Sequence, residues 1–79
     1  MEKIKKEVLD LVKKIGDNQN ITDKSLLLDE GWIDSLSTIT LLSELENKFS
    51  IEIETEELSH ENFNTIENIS KLIFNKVEN

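Results

Sequence analysis

Between Leu36 and Phe49 the apolar residues Ile39, Leu42, Leu45 and Phe49 fall three or four apart, with Leu41 beside them and Leu36 away from the stripe, next to Ser35. A stripe of that period can be buried only as one face of an α-helix lying on a core. The stretch ahead of it, Gly31-Trp32-Ile33-Asp34, reads as punctuation. Gly31 can turn the chain at little steric cost, and Asp34 can cap the first free backbone N–H groups. A helix is therefore predicted from Ser35 to about Phe49, with Ser35 at its first position and its hydroxyl at the helix N-terminus. The unpaired N–H groups and the positive end of the helix dipole there stabilise a phosphodiester oxygen. With no base beside it, Ser35 is a poor nucleophile and a good anchor for a phosphate. The plainer alternative is a helix cap of no chemical consequence.

Two further helices flank this one. Ile4, Val8, Leu11, Val12 and Ile15 repeat at helical spacing, so residues 2 to about 15 should form a helix stopped at Gly16. At the other end Thr65 can cap a helix in which Ile66, Ile69, Ile73 and Val77 share a face, with Leu72 nearby. The stretch from Ile21 to Ile33 shows no period and reads as a long loop pinned by Ile21, Leu26, Leu27 and Leu28. A loop of that length in a compact domain is usually functional. Ile51-Glu52-Ile53-Glu54 alternates like a strand, but with no partner strand it is better read as an extended connection with Ile51 and Ile53 pointing inward. Thr55 can cap a short helix through Glu56, Glu57 and Leu58, with Phe63 as an aromatic anchor after it. The expected fold is all-α, a small antiparallel bundle of three main helices and one short helix. Its expected core is Val8, Leu11, Ile15, Ile39, Leu42, Leu45, Phe49, Ile69 and Ile73.

A chain of 79 residues makes one domain, 1–79. At this size about 60% of the unfolded chain's surface is buried, which leaves little room for a dedicated active-site cleft. The net charge of −8 argues against nucleic acid as a partner. Residues 1–16 carry five Lys against three acids, whereas residues 34–61 carry eight acids against Lys48 alone. Acidity gathered there suits docking to basic patches on enzymes, with electrostatics speeding encounter more than fixing affinity. A solvated face that keeps a small protein soluble is the plainer reading.

Several chemistries are excluded. With no Cys there is neither a disulfide framework nor a thiolate metal site. Gly16 and Gly31 are the only glycines, so no Gly-rich phosphate loop exists. His60 is the sole His, and one imidazole among scattered carboxylates specifies no metal. It also lies far along the chain from Ser35, with no evident orienting partner for a Ser–His–acid triad. No apolar run approaches the ~20 residues of a membrane span. The N-terminal Met-Glu-Lys-Ile-Lys-Lys lacks the features of a signal peptide, so a cytoplasmic location is expected.

Gly31-x-x-Asp34-Ser35-Leu36, followed by Leu41-Leu42 and Glu44-Leu45-Glu46-Asn47-Lys48-Phe49, resembles the acyl carrier protein family over about residues 26–74. The resemblance implies that the protein is a carrier and not an enzyme. It implies 4′-phosphopantetheine on Ser35, placed there by a phosphopantetheinyl transferase, and an acyl or aminoacyl group held as a thioester on the arm. Asp34 would orient the site, and Leu36, Glu44, Glu46 and Trp32 would contact partners. For Trp32 the alternative is a structural ring anchoring the loop. The partners implied are an adenylating acyl or aminoacyl ligase and downstream transferases or synthases, and a monomer is expected.

Fatty-acid carriers have further acids along the exposed face of this helix, where Ser37, Thr40 and Asn47 stand here. The long spacing from Phe49 to Thr65, with Phe63 two positions before the Thr, resembles D-alanyl carrier proteins of teichoic acid modification. Phe63 and Ile66 stand where those carriers tend to have Trp and Pro. A cofactor-free acidic interaction module is the competing expectation, disfavoured by the intact Asp34-Ser35 pair.

Overall fold

A computed structural model describes residues 2–78. Its elements are α1 (Glu2–Ile15), α2 (Ser35–Phe49), a 3₁₀ turn (Thr55–Glu57), α3 (His60–Phe63) and α4 (Ile66–Val77), with no strand among the described residues. The three main helices keep the expected limits. α1 packs against both α4 and α2, and α3 packs against α4.

The core is Val8 and Val12 from α1, Leu41 and Leu45 from α2, Ile66, Ile69 and Ile73 from α4, and Ile21, Leu27, Ile33, Ile53 and Phe63 from the connections. Leu11, Ile15, Leu42 and Phe49 pack at its margin. Ile39 was expected inside and is instead 59% exposed, whereas Leu41 is fully buried. The reason lies in the neighbours. α2 packs on α1 through the sector centred on Leu41 and Leu45, and Ile39 falls outside it. Buried Ser70 spends its hydroxyl on the Ile66 carbonyl at 2.7 Å, as a buried polar group must.

The helix ends differ in detail from expectation. α1 does end before Gly16, but the left-handed residue that terminates it is Asp17, at φ 51°. The Asn18 amide returns to the Lys13 carbonyl at 3.1 Å and the Asp17 amide to Lys14 at 3.3 Å, which is the Schellman arrangement. Gly16 sits where a side chain would be crowded. A Cβ there would stand 3.0 Å from Ile21 Cδ1, 3.1 Å from the Trp32 carbonyl oxygen and 3.2 Å from that of Val12. Thr65 caps α4 as expected, accepting the Asn68 amide at 3.0 Å.

Thr55, expected as a cap, is the first residue of the 3₁₀ turn, and Glu54 precedes it as the cap. Glu57 Oε1 accepts the Glu54 amide at 2.8 Å and also meets Lys76 Nζ at 2.8 Å, tying the turn to α4. α3 was not anticipated. Ser59 caps it by accepting the Asn62 amide, and its four residues bury Phe63. So short a helix gives no periodicity to read.

The connection between α1 and α2 is a run of turns. Ile21 and Leu27 are buried as its pins and Leu28 packs on the core, but Leu26 is 39% exposed. The Glu30 amide bonds to the Leu26 carbonyl at 2.8 Å, and Gly31 follows at φ 77°, a conformation costly for any residue with a Cβ. Trp32 packs its half-buried ring against the core while its Nε1 donates to Glu30 Oε1 at 2.8 Å.

Candidate functional site

Ser35 is exposed at the first position of α2. Asp34 sits in extended conformation ahead of it and turns its carboxylate back over the helix, where Oδ1 accepts the Ser37 amide at 2.8 Å. The Asp34 carbonyl accepts both the Thr38 amide and the Thr38 hydroxyl at 2.8 Å. Donation from the Ser37 backbone and then its side chain holds the Asp34 carboxyl below its ordinary value. Asp34 therefore fixes the helix terminus, and the Ser35 hydroxyl is left free of hydrogen bonds among the described residues. The amides of Ser35 and Leu36 come before the first intrahelical donor, at the positive end of the helix dipole.

Beside the hydroxyl runs an open cleft of about 640 Å³ between the turn, the head of α2 and α3. Leu28, Ile33, Ile39, Leu58 and Phe63 give it apolar walls, and Asp34, Ser35 and His60 stand on it too. A cleft beside the site was not expected at this chain length. It exists because α3 and the turn face α2 without filling the space between them. Ile39, displaced from the core, forms part of its wall.

His60 was expected to lack an orienting partner, and it has one. Its Nε2 lies 2.6 Å from Asp29 Oδ1. Asp29 also accepts from Asn64 Nδ2 at 3.1 Å through Oδ2, and these two contacts, His60 first, hold its carboxyl below the ordinary range. His60 thus shares the cleft with Ser35, but no hydrogen bond joins the two among the described residues, so the nucleophile–base contact of a triad is missing.

The residues expected to meet partners separate into two groups. Leu36, 77% exposed, stands out from the first turn of α2, in line with exposed Thr40, Ser43 and Asn47. Glu44 and Glu46 are half-buried at the edges of that face. Glu46 uses Oε2 to accept the Ile53 amide at 2.9 Å, which holds the extended connection against α2. Asn64 and Asp29 carry more of the local geometry than periodicity could reveal. Their bonds run between segments 35 residues apart, which no local pattern signals.

An all-helical bundle among the described residues, with an unengaged serine hydroxyl at the head of α2, is consistent with a carrier domain. The family model described as the phosphopantetheine attachment site matches residues 2–73, and the chain belongs to that family of carrier proteins. The chain is 34% identical over 68 residues to the D-alanyl carrier protein of Streptococcus sanguinis, covering 84% of this chain and 85% of the relative. The D-alanyl carrier proteins of Streptococcus uberis and Streptococcus gordonii are 34% and 32% identical over the same shares.

The protein is thus a carrier whose cofactor is 4′-phosphopantetheine, and members of the family are not themselves catalysts. The head of α2 fits such a group, with an exposed hydroxyl, first-turn amides for a phosphate oxygen and open space alongside. A carrier of this kind works with separate ligases and transferases. Among the described residues, no helix is long and apolar enough to cross a membrane.

Proposed function

We propose that Ser35 is the attachment residue for 4′-phosphopantetheine and that the chain acts as a single, monomeric, cytoplasmic carrier domain, 1–79, without catalysis of its own. The observation that carries this reading is the unengaged Ser35 hydroxyl at the capped head of α2. When bound, the group supplies a thiol on which an acyl or aminoacyl cargo is held as a thioester. The chain's residues do the rest. Asp34 keeps the helix terminus formed, Leu36 offers partners an exposed apolar contact in the first turn of α2, and the uncovered part of the Trp32 ring adds to it. Glu44 and Glu46 edge the docking face of α2, with Glu46 also bracing the Ile53 connection. A phosphopantetheinyl transferase modifies Ser35, a stand-alone adenylating ligase loads the arm, and a downstream transferase or synthase unloads it.

The cargo we propose is D-alanine. Its support is the likeness to D-alanyl carrier proteins over 84% of the chain, together with the spacing from Phe49 to Thr65. The uncharged positions Ser37, Thr40 and Asn47 on α2 also separate this face from the acidic pattern of fatty-acid carriers. The discriminating experiment offers the phosphopantetheinylated protein to a D-alanine ligase with ATP and, separately, to a fatty-acid elongation system. Thioester formation in the first, with none in the second, is expected. Efficient elongation without D-alanine loading would return the protein to fatty-acid or polyketide synthesis.

A further inference from the structure

We propose that Asn64 is a positioning residue for the modification of Ser35, holding the turn from which Ser35 is presented to the transferase. The inference rests on Ser35 being the modified residue. Asn64 is 9% exposed and joins α3 to α4. Its carbonyl accepts the Leu27 amide at 2.6 Å, and its Oδ1 accepts the amides of Leu28 at 3.0 Å and Asp29 at 3.1 Å. Its Nδ2 donates to Asp29 Oδ2, while Asp29 Oδ1 meets His60. One residue thus holds three consecutive amides of a segment far away in sequence.

From there hydrogen bonds run on toward the site. The Leu27 carbonyl accepts the Ile33 amide at 3.1 Å and the Leu28 carbonyl accepts the Gly31 amide at 3.2 Å. Ile33 is followed by Asp34, the cap of α2, and then by Ser35. Buried Leu27 and Ile33 attach this segment to the core, but apolar contact is non-directional and fixes neither its register nor its tilt. Directional bonds do that, and water cannot readily replace them at a side chain so nearly buried. His60 closes the same assembly from α3, on the cleft that Ser35 shares.

The carboxamide has a defined sense, acceptor toward the backbone and donor toward Asp29, so its chemistry can be reversed in a test. Asn64→Asp keeps shape and acceptor but sets a second carboxylate against Asp29 Oδ2. The double variant Asn64→Asp with Asp29→Asn restores donor and acceptor in the opposite direction.

Phosphopantetheine transfer from coenzyme A by a broad-specificity transferase is measured on each protein as kcat and KM, alongside circular dichroism and Trp32 emission of the unmodified chain. The expected result for N64D is a fall of about tenfold in kcat/KM, carried by kcat, since a barrier rise near 1.4 kcal/mol gives that factor. Trp32 emission shifts with it, helicity stays, and the double variant recovers both rate and emission. Should N64D not fold, the exposed Asp29→Ala leaves the three amide bonds in place and removes only the partner of Asn64 Nδ2 and His60. A smaller fall in kcat with a Trp32 shift of the same sign is then expected, and wild-type values for both would overturn the proposal.

Wild-type kcat/KM in N64D, or a double variant as poor as N64D, would overturn the proposal. So would a rate that falls only in step with lost helicity. A wild type that takes no phosphopantetheine sinks the assignment of Ser35 itself. A wild type and N64D modified equally well sink only the positioning role.

Discussion

Asp34 Oδ1 accepts the Ser37 amide at 2.8 Å, and Ser35 lies between them with its hydroxyl outside the closed ring. The cap thus forms the helix without consuming the group that the helix presents. Asp34→Ala is expected to lower the melting temperature and Asp34→Ser to lower it less, because a hydroxyl can still accept the N3 amide. Equal melting temperatures for wild type and D34A would show that the cap does not support α2.

The pH dependence follows from three depressed carboxyls. The folded-state pKa of Asp29 lies below its ordinary value through His60 and Asn64, that of Asp34 through Ser37, and that of Glu57 through Lys76 and then Glu54. A carboxyl depressed in the folded state binds fewer protons there than in the unfolded chain. Its contribution is therefore complete above the ordinary values, 3.8 for the two Asp and 4.5 for Glu57, and is lost as pH falls through the folded values. Urea midpoints across the acid range should fall below pH 5, more gently in a Glu57→Gln variant. A Glu57→Gln profile parallel to wild type would contradict the linkage.

Leu41 and Ile39 stand two residues apart on α2 and differ completely in surroundings, fully buried against 59% exposed. Leu41→Ala should cost about 3 kcal/mol in denaturant unfolding, in the range of buried leucine truncations, and Ile39→Ala under about 1 kcal/mol. Comparable losses for the two would move the helix's buried sector back toward Ile39.

The pair also marks how far the sequence could be read. The period of α2 is visible, and so is its start at Ser35, because Asp34 and Gly31 are local signals. Which sector of the apolar stripe is covered depends on α1 and the turn, whose positions no local pattern encodes. The site was legible in the same measure. Ser35 follows from the cap and from a family resemblance, whereas Asn64, Asp29 and the cleft arise from contacts across 31 to 37 residues. α3 stayed hidden because its four residues span little more than one turn.

Gly16 has no left-handed backbone to justify it, only neighbours. Gly16→Ala pushes a methyl group against Ile21 Cδ1 and two backbone carbonyls and should cost about 1–3 kcal/mol. At Gly31 nothing lies within 4 Å of the same position, and the strain of Gly31→Ala comes from φ 77° alone, near 1 kcal/mol. A neutral Gly16→Ala would mean that Ile21 and the Trp32 backbone give way freely.

The run from Asp34 to Glu61 has net charge −7, and Lys76 offsets Glu57 there by an ion pair at 2.8 Å. Like charges on so small a surface should loosen that end, so moderate salt is expected to raise the melting temperature by screening. Mono- and divalent salts at matched ionic strength should act alike. No group of three or more candidate ligands for a cation occurs among the described residues. An unchanged melting temperature would show that the charge cluster does not strain the fold.

The central claim is that Ser35 carries the arm, and intact mass after incubation with coenzyme A and a phosphopantetheinyl transferase tests it most directly. Wild type should gain the mass of one phosphopantetheine, located by fragmentation to the peptide containing Ser35, and Ser35→Ala should gain none. An unmodified wild type, or an S35A protein that still takes the group, would contradict the account.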